Sequence, residues 1–479
     1  MIVNFRGLAA FIALIGAPAL ADDNWPAYLY DLGHSSFNRN ESILNRTNAG
    51  TLEQAWSTKV YAPVVAGATI SDGVLYVGEW AGNFYAIDAK TGTPKWWTFV
   101  GKAPNPEASN CQQGIGVSAQ AVVFGDAVYV AGGDSRVYAL NKTTGAEMWH
   151  VQLADPHSGS YLWTSLTVYD NAIYAGIASL GDCPLVRGAM VRIDLAKPHD
   201  PLYQWLSPEV PEDDEDVGGG VWSTPAIDGA TNTLYVTTGT GNQDPERGMW
   251  GGTLLAMDAT TLEIKEHFFL PTNSLEEDIE WGSSAMLFET STGAPMVAAT
   301  GKDGVLYVQR RDDLTPGWRV TLALSCVCPE CGCGSLSTPA FDGARLYVGA
   351  GAAPDADLEN GSIYALNPDN GEILWRNLLQ GAVLAPVTVA GGAVYVSTMS
   401  GLEVFEAETG NQLWSGPETL LFSQSVVAGG TVYTTQVNGS IVAWRPTEGA
   451  AISPSARPGP PIRRSTSSDR SAGSSGHLR

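Results

Sequence analysis

The chain has 479 residues, with 26 Lys and Arg against 50 Asp and Glu and a formal net charge of −24. With no basic excess to neutralise phosphates, that balance argues against nucleic acid or an anionic membrane surface as the main partner. Charged residues make up 16% of the chain beside 54 Gly, 15 Trp and 17 Tyr, which is neither a disordered composition nor that of a helical bundle or coiled coil; short strands and tight turns, an all-β fold, are expected.

The first residues read as an export address. Arg6 gives a positive start, Leu8 to Ile15 an apolar stretch, and Ala19-Leu20-Ala21 a small-x-small cleavage site before Asp22. Residues 1–21 are therefore expected to be a signal peptide, with no Cys after the cleavage site to carry a lipid anchor and no later apolar run long enough to span a bilayer. The expected location is periplasmic or secreted. At the other end, residues 449–479 are rich in Ser, Pro, Gly and Arg and lack aromatics. Such a segment cannot bury enough surface to offset its ordering entropy, so a disordered tail is expected.

A repeat organises what lies between. A β-rich run, a glycine turn, a second β-run and then Asp/Asn-x-x-Thr-Gly, often followed by Trp, recurs along the chain. The clearest copies begin at Val74 (VLYVGEWAGNFYAIDAKTGTPKWW), Ala127, Arg345 and Ala393, and weaker ones span Ile173–Trp205, Leu234–Leu262, Val305–Trp318 and Val432–Trp444. Val-Tyr-Val alternation is strand patterning with one buried face, and Asp-Ala-Lys-Thr-Gly is turn chemistry with Gly where φ is positive. One such sheet cannot bury its faces alone, and radial stacking of four-stranded sheets is a β-propeller. Residues 22–448 give about 53 residues for each of eight repeats, within the range of a propeller blade. Gln54–Val60, ahead of the first copy, is expected to supply the missing outer strand of the last blade and close the ring.

The frame Tyr/Ala-Leu/Ile-Asp-x-x-Thr-Gly-x-x-x-Trp resembles the tryptophan-docking repeat of the quinoprotein dehydrogenases, and NWPAYLYDLGHSSFN (Asn24–Asn38) resembles the N-terminal box of their polyvinyl-alcohol-dehydrogenase-like members. The resemblance runs over residues 24–446. It implies an eight-bladed propeller with tryptophan-docking-type repeats that binds pyrroloquinoline quinone (PQQ) and Ca²⁺.

Site residues follow from the same resemblance. GGGVWSTPAIDGATNTLYVTTGTGN (Gly218–Asn242) is similar to the block in which a Trp forms the floor under PQQ and an Asn ligates calcium, which maps to Trp222 and Asn242. A flat aromatic floor suits a flat tricyclic cofactor. EEDIEWGSS resembles the segment that supplies the catalytic base; Asp278 fits best and Glu280 is the fallback, a carboxylate being suited to taking an alcohol proton. Lys302, in GKDGVLY, matches the cation that faces the quinone oxygens. Thr164, Ser179 and Arg187 match residues that hold the PQQ carboxylates. Trp222, Asn242 and Lys302 are expected in one cavity at one end of the axis.

Two departures stand out. The calcium-ligating Glu is replaced, the nearest carboxylate being Asp182, and only Cys111 stands where the family often has two adjacent cysteines. Cys326, Cys328, Cys331 and Cys333 lack the His of a haem-attachment motif and are too compressed for a zinc knuckle, so disulfides in a surface loop, with a Cys111–Cys183 pair, are expected for an exported chain. The six His show no metal-ligand spacing, and no Gly-x-Ser-x-Gly or phosphate loop occurs. The resemblance implies a PQQ- and calcium-dependent alcohol dehydrogenase without a haem domain, needing an external electron acceptor such as a soluble cytochrome c. The alternative is a non-catalytic propeller that binds protein or polysaccharide.

Overall fold

The computed structural model describes residues 23–447 apart from 105–113, 183, 210–216, 275–277, 326–331 and 358–359. The expected signal peptide and tail lie outside the described residues, as do Cys111, Cys183, Cys326, Cys328 and Cys331. The fold is an eight-bladed β-propeller of antiparallel sheets. Blade 1 is built from Thr69–Ser71, Val74–Gly78, Asn83–Asp88 and Pro94–Phe99, running outward from the axis. Blades 2 to 7 follow over residues 122–152, 167–205, 226–269, 286–321, 340–379 and 388–415. Blade 8 takes three strands from residues 426–446 and its outer strand, Leu52–Lys59, from the start of the chain. This is the closing strand expected over Gln54–Val60, and it leaves the ring without a free end.

One expectation about the strands is corrected. The Val-Tyr-Val strands do not have a single buried face: Ala127–Ala131, Thr233–Thr237 and Leu346–Ala350 are buried at every position. A blade is sandwiched between two neighbours, so both faces of its middle strands are core. In–out alternation survives in outer strands such as Pro94–Phe99 and Pro316–Thr321.

The Trp and the Thr-Gly turn are two halves of one contact. The indole N–H groups of Trp56, Trp96, Trp318 and Trp375 donate to the carbonyls of Ala89, Lys142, Pro368 and Ala407 in the next blade, at 3.0–3.2 Å. Each indole lies over that blade's turn glycine: Gly92, Gly145, Gly371 and Gly410 have φ of 72–75°, and a Cβ on any of them would stand 2.5–2.7 Å from the ring. Tyrosines of the second strands donate to the same acceptors, Tyr433 to Ala89, Tyr76 to Lys142 and Tyr347 to Ala407, at 3.0–3.1 Å. In the weaker repeats Leu262 and Leu314 occupy the glycine position and keep its positive φ, 61° and 51°. No indole lies opposite Leu314, because the preceding outer strand, Ile264–Phe269, has none. In the blade before Leu262 the outer strand Leu202–Trp205 has Leu202 paired with Arg192 where blade 1 has Trp96 paired with Ala86. Its Trp205 packs on the blade 2 side, stacked on Tyr203 at 5.5 Å with the Arg187 guanidinium 4.4 Å away. The leucines fill the space that a docked indole occupies elsewhere.

The N-terminal box is a plug. Trp25 exchanges backbone hydrogen bonds with Ile70, and the carbonyls of Pro26, Leu32, Gly33, Ser35 and Ser36 accept from Val123, Ile227, Leu287, Phe341 and Val389. The Asn38 amide donates to the Val427 carbonyl. Residues 25–38 thus touch the inner strands of seven blades and close one end of the axis. Turning so tightly puts Leu29, Tyr30, His34 and Ser36 at positive φ. His34 is buried and donates from Nδ1 to the Ala285 carbonyl at 2.8 Å. Burial holds its pKa down at about 4, against smaller upward pulls from that carbonyl and from Asp31.

Two outcomes follow for denaturation measurements. Gly145→Ala should lose about 3 kcal/mol, because it combines a strained φ with a clash against Trp96, whereas Gly125→Ala, at φ 60° with no atom near its Cβ, should lose only about 1 kcal/mol. Above pH 6.5 His34 is neutral in both folded and unfolded chains. As pH falls from 6.5 towards 4 the unfolded chain binds a proton that the folded chain refuses, so stability should fall by up to about 3 kcal/mol. His34→Asn keeps a donor for Ala285 and tolerates positive φ; its stability should vary less over that interval.

Candidate functional site

The segments that enter six of the eight inner strands carry Ser, Thr or Gln: VSAQ, WTS, WSTP, GSS, LSTP and FSQS. In the fold they face the axis and form a belt. The amides of Gln120, Ser165, Thr224 and Ser284 donate to the hydroxyls of Ser165, Thr224, Ser284 and Thr338, each on the next blade, at 2.9–3.2 Å. The belt surrounds a cavity of about 430 Å³, with Tyr28 of the plug in its lining beside Trp80, Trp163 and Trp222. Sequence reasoning missed this belt, although its recurring Ser-Thr-Pro was legible.

Beside Trp222 lies a cluster of charges. Short backbone pairing brings two of its members together: Lys302 N–H donates to the Glu280 carbonyl, and Gly282 N–H to that of Thr300. The Lys302 ammonium then reaches Asp278 at 2.9 and 3.0 Å and Glu280 at 2.9 Å. Thr240, from the adjacent blade, donates to Glu280 at 2.7 Å and to Asp278 at 3.3 Å. Gly239 joins this cluster to the aromatic wall: a Cβ there would stand 2.7 Å from Glu280 Oε2 and 3.0 Å from Trp222 Cδ1.

The electrostatics follow from three carboxylates sharing one ammonium. Burial pushes the Glu280 carboxyl up to about 7; Lys302 pulls it down, and Asp278 and Asp182 push it further up. Burial works against the charge of Lys302, but Glu280 and Asp278 outweigh it and hold the ammonium above its ordinary pKa. Asp182 is exposed at the rim, with φ 54°. Desolvation by the surrounding walls still raises its carboxyl, opposed by Ser179 and helped by Asp278.

The expected site residues divide accordingly. Asp278, Glu280, Lys302, Asp182 and Ser179 come together, and Trp222 adjoins them. Asn242 sits two residues beyond Thr240, where its carbonyl accepts from Gly251 N–H at 2.9 Å. Neither Asn242 nor Lys302 lines the axial cavity, so the expected single chamber is instead a cavity with the charge cluster set behind Trp222 and Gly239. Thr164 is buried, its hydroxyl donating to the Ser165 carbonyl. Arg187 is engaged elsewhere, donating to the Ser207 carbonyl at 2.8 Å and stacked on Trp205. Cys333, expected in a surface loop, is buried, and its sulfur is in a disulfide.

Three carboxylates and one ammonium leave negative charge uncompensated, and an all-oxygen donor set suits a hard cation. Among the described residues no three His, Cys, Asp or Glu side chains are close enough to hold a metal by themselves. A bound cation would need oxygens beyond these carboxylates, from amide or carbonyl groups or from a ligand.

The profile of a family described as "Outer membrane protein assembly factor BamB" (PQQ_2) matches residues 44–182 and 302–471, more than half of the chain. The chain belongs to this family. It is a propeller of the PQQ-dependent alcohol dehydrogenase-like kind. It is 24% identical over 454 residues to the polyvinylalcohol dehydrogenase of Sphingopyxis sp. (strain 113P3), which covers 82% of this chain and 67% of that protein. It is 27% identical over 291 residues to the quinohemoprotein alcohol dehydrogenase of Comamonas testosteroni, covering 53% of this chain and 40% of that one. The chain thus spans about half the length of the curated relatives it matches. A solved europium-containing methanol dehydrogenase superposes with a TM-score of 0.71 at 15% identity, over 88% of this chain and 98% of that one, which shows the shared fold.

The cluster can be tested without any cofactor. Lys302→Met strands the buried Glu280 carboxylate and should cost about 3 kcal/mol of stability. Adding Glu280→Gln removes that carboxylate and should restore about half of the loss in a double-mutant cycle followed by chemical denaturation.

Proposed function

We propose that this chain is an exported oxidoreductase that oxidises an alcohol with PQQ and Ca²⁺ and passes the electrons to an external acceptor such as a soluble cytochrome c. The observation that carries this reading is the Asp278–Lys302–Glu280 cluster packed against the edge of Trp222. Dehydrogenase relatives aligned over most of the chain support it, and the buried disulfide at Cys333 is consistent with an oxidising compartment.

In this reading Trp222 supplies the flat face and the uncompensated carboxylates attract the cation, with Asp182 and Asn242 as its ligands from the rim. PQQ, when bound, supplies the two-electron acceptor that the polypeptide lacks, together with carboxylate oxygens to complete the cation's shell. Asp278 is the base. Its side chain is 46% exposed whereas that of Glu280 is 6% exposed, so Asp278 can reach a substrate hydroxyl and take its proton. Glu280 holds the Lys302 ammonium in place, and that ammonium stabilises negative charge as it develops beside it. Ser179 orients Asp182, to which it is hydrogen-bonded.

A second reading, a scaffold that binds protein or polysaccharide, draws on the BamB description of the family and on Asp182 and Cys111 standing where the dehydrogenases have other residues. Such a scaffold has no use for a buried lysine shared by carboxylates at the channel mouth. Titrating the purified chain with PQQ and Ca²⁺, followed by cofactor absorbance and alcohol-dependent dye reduction, separates the two.

Saturable PQQ binding is expected. Asp278→Asn should retain PQQ and Ca²⁺ while lowering turnover about a thousandfold, because an amide cannot accept the proton. Asp182→Ala should instead weaken Ca²⁺ binding, and excess Ca²⁺ should partly rescue that variant but not the former.

A further inference from the structure

A second depression opens beside the axial cavity. It measures about 540 Å³ and is lined by Tyr61, Ala62, Pro63, Trp80, Ala81 and Ile115, with Lys102 as the charged group among its described lining residues. Its outer end is aromatic and open to solvent: Tyr61 is 85% exposed. Phe99, 57% exposed, lies over Gly82 next to Ala81, where a Cβ would meet its ring at 2.8 Å. These two rings and Trp97 are three of the four exposed aromatics among the described residues, and all belong to the corner of blade 1. Exposed rings gathered at one corner are the kind of apolar patch that another molecule covers.

The groove leads to the candidate site. Trp80 lines both the groove and the axial cavity, and its backbone N–H is fixed to the Pro63 carbonyl at 3.0 Å. Trp80 and Trp163 pack on one buried cluster that includes Ile115, Tyr161 and Leu180. The Trp163 indole donates to the carbonyl of Ser179, the residue beside Asp182. The groove therefore meets the axial cavity at Trp80, and Trp163, on the same buried cluster, reaches the segment that carries Asp182.

We propose that this groove receives the chain of the alcohol substrate, with Tyr61 as a specificity-determining residue that favours alcohols whose hydroxyl is carried on an extended apolar chain. The inference rests on the alcohol-oxidising reading above. A methylene chain lying in the groove removes both its own surface and the open face of Tyr61 from water. A short alcohol does not reach Tyr61. Discrimination should therefore appear in KM for long alcohols and leave short ones unaffected.

The test compares ethanol with 1-octanol as substrates of the full chain loaded with PQQ and Ca²⁺, by dye reduction. Wild-type enzyme should have a lower KM for 1-octanol than for ethanol. Tyr61→Ala should raise the 1-octanol KM roughly fivefold and Ala81→Trp, which fills the groove, roughly tenfold, with ethanol KM and both kcat values within about twofold. Tyr61 is exposed, so Tyr61→Ala carries the test even if Ala81→Trp folds poorly. An unchanged ratio of 1-octanol to ethanol KM in both variants overturns the groove assignment and leaves the alcohol reading standing. Absence of turnover on any alcohol overturns the alcohol reading. In that case 1-octanol binding, followed by tryptophan emission in wild type and Tyr61→Ala, decides whether the groove takes an apolar chain. Binding of cellohexaose that depends on Tyr61, without binding of 1-octanol, would assign the groove to polysaccharide and overturn the proposal.

Discussion

The indole of one blade lying on the turn glycine of the next is the contact on which the ring depends. A left-handed glycine without a Cβ lets the ring lie flat against the turn, and the indole N–H then falls in line with the carbonyl that follows the turn's Asp or Asn. That carbonyl has two lone pairs, and at Ala89, Lys142 and Ala407 the second is taken by a tyrosine hydroxyl from the same neighbouring blade. Each docked pair therefore fixes both the separation and the rotation between adjacent blades. Ring closure uses the same device: Ala89 accepts from Trp56 of the first strand and from Tyr433 near the end of the fold. Where the indole is missing or stacked elsewhere, a leucine fills the gap and the turn survives.

Fixing the blades at equal angles places equivalent residues of every repeat at one height around the axis. Hydroxyls that enter the inner strands form a belt over blades 2 to 6, because each accepts a hydrogen bond from the amide of the preceding blade. Lys302 and Thr240, from the loops between second and third strands of adjacent blades, meet for the same reason. The plug at the opposite end uses the backbone groups that inner strands leave unpaired on the axial side. It closes one end of the axis and puts Tyr28 into the lining of the axial cavity.

That cluster has an effect at odds with the whole-chain charge only in appearance. A strongly acidic protein is a poor host for a polyanion, yet the local balance is set by the Lys302 ammonium among Asp278, Glu280 and Asp182. Low dielectric around the buried Glu280 magnifies its pairing with Lys302. In the reading proposed above, a divalent cation would offset the carboxylates and let the cofactor's own carboxylates enter with it.

The repeat with its Trp and its Thr-Gly turn, the blade number and the closing strand were legible in the sequence, whereas the docking of each Trp on the next blade's turn glycine was not. Lys302, Asp278, Glu280 and Trp222 were legible as motifs, but their contact was not: nothing local states that Thr240 will reach Glu280 across a blade boundary. Full burial of the middle strands, the docking of Arg187 on Trp205, the seven-blade reach of residues 25–38 and the groove between Tyr61 and Trp80 were decided only by the closed ring. The physical reason is that each of these depends on surfaces from different blades. Sequence spacing sets what one blade presents, and ring closure sets which other blade it meets.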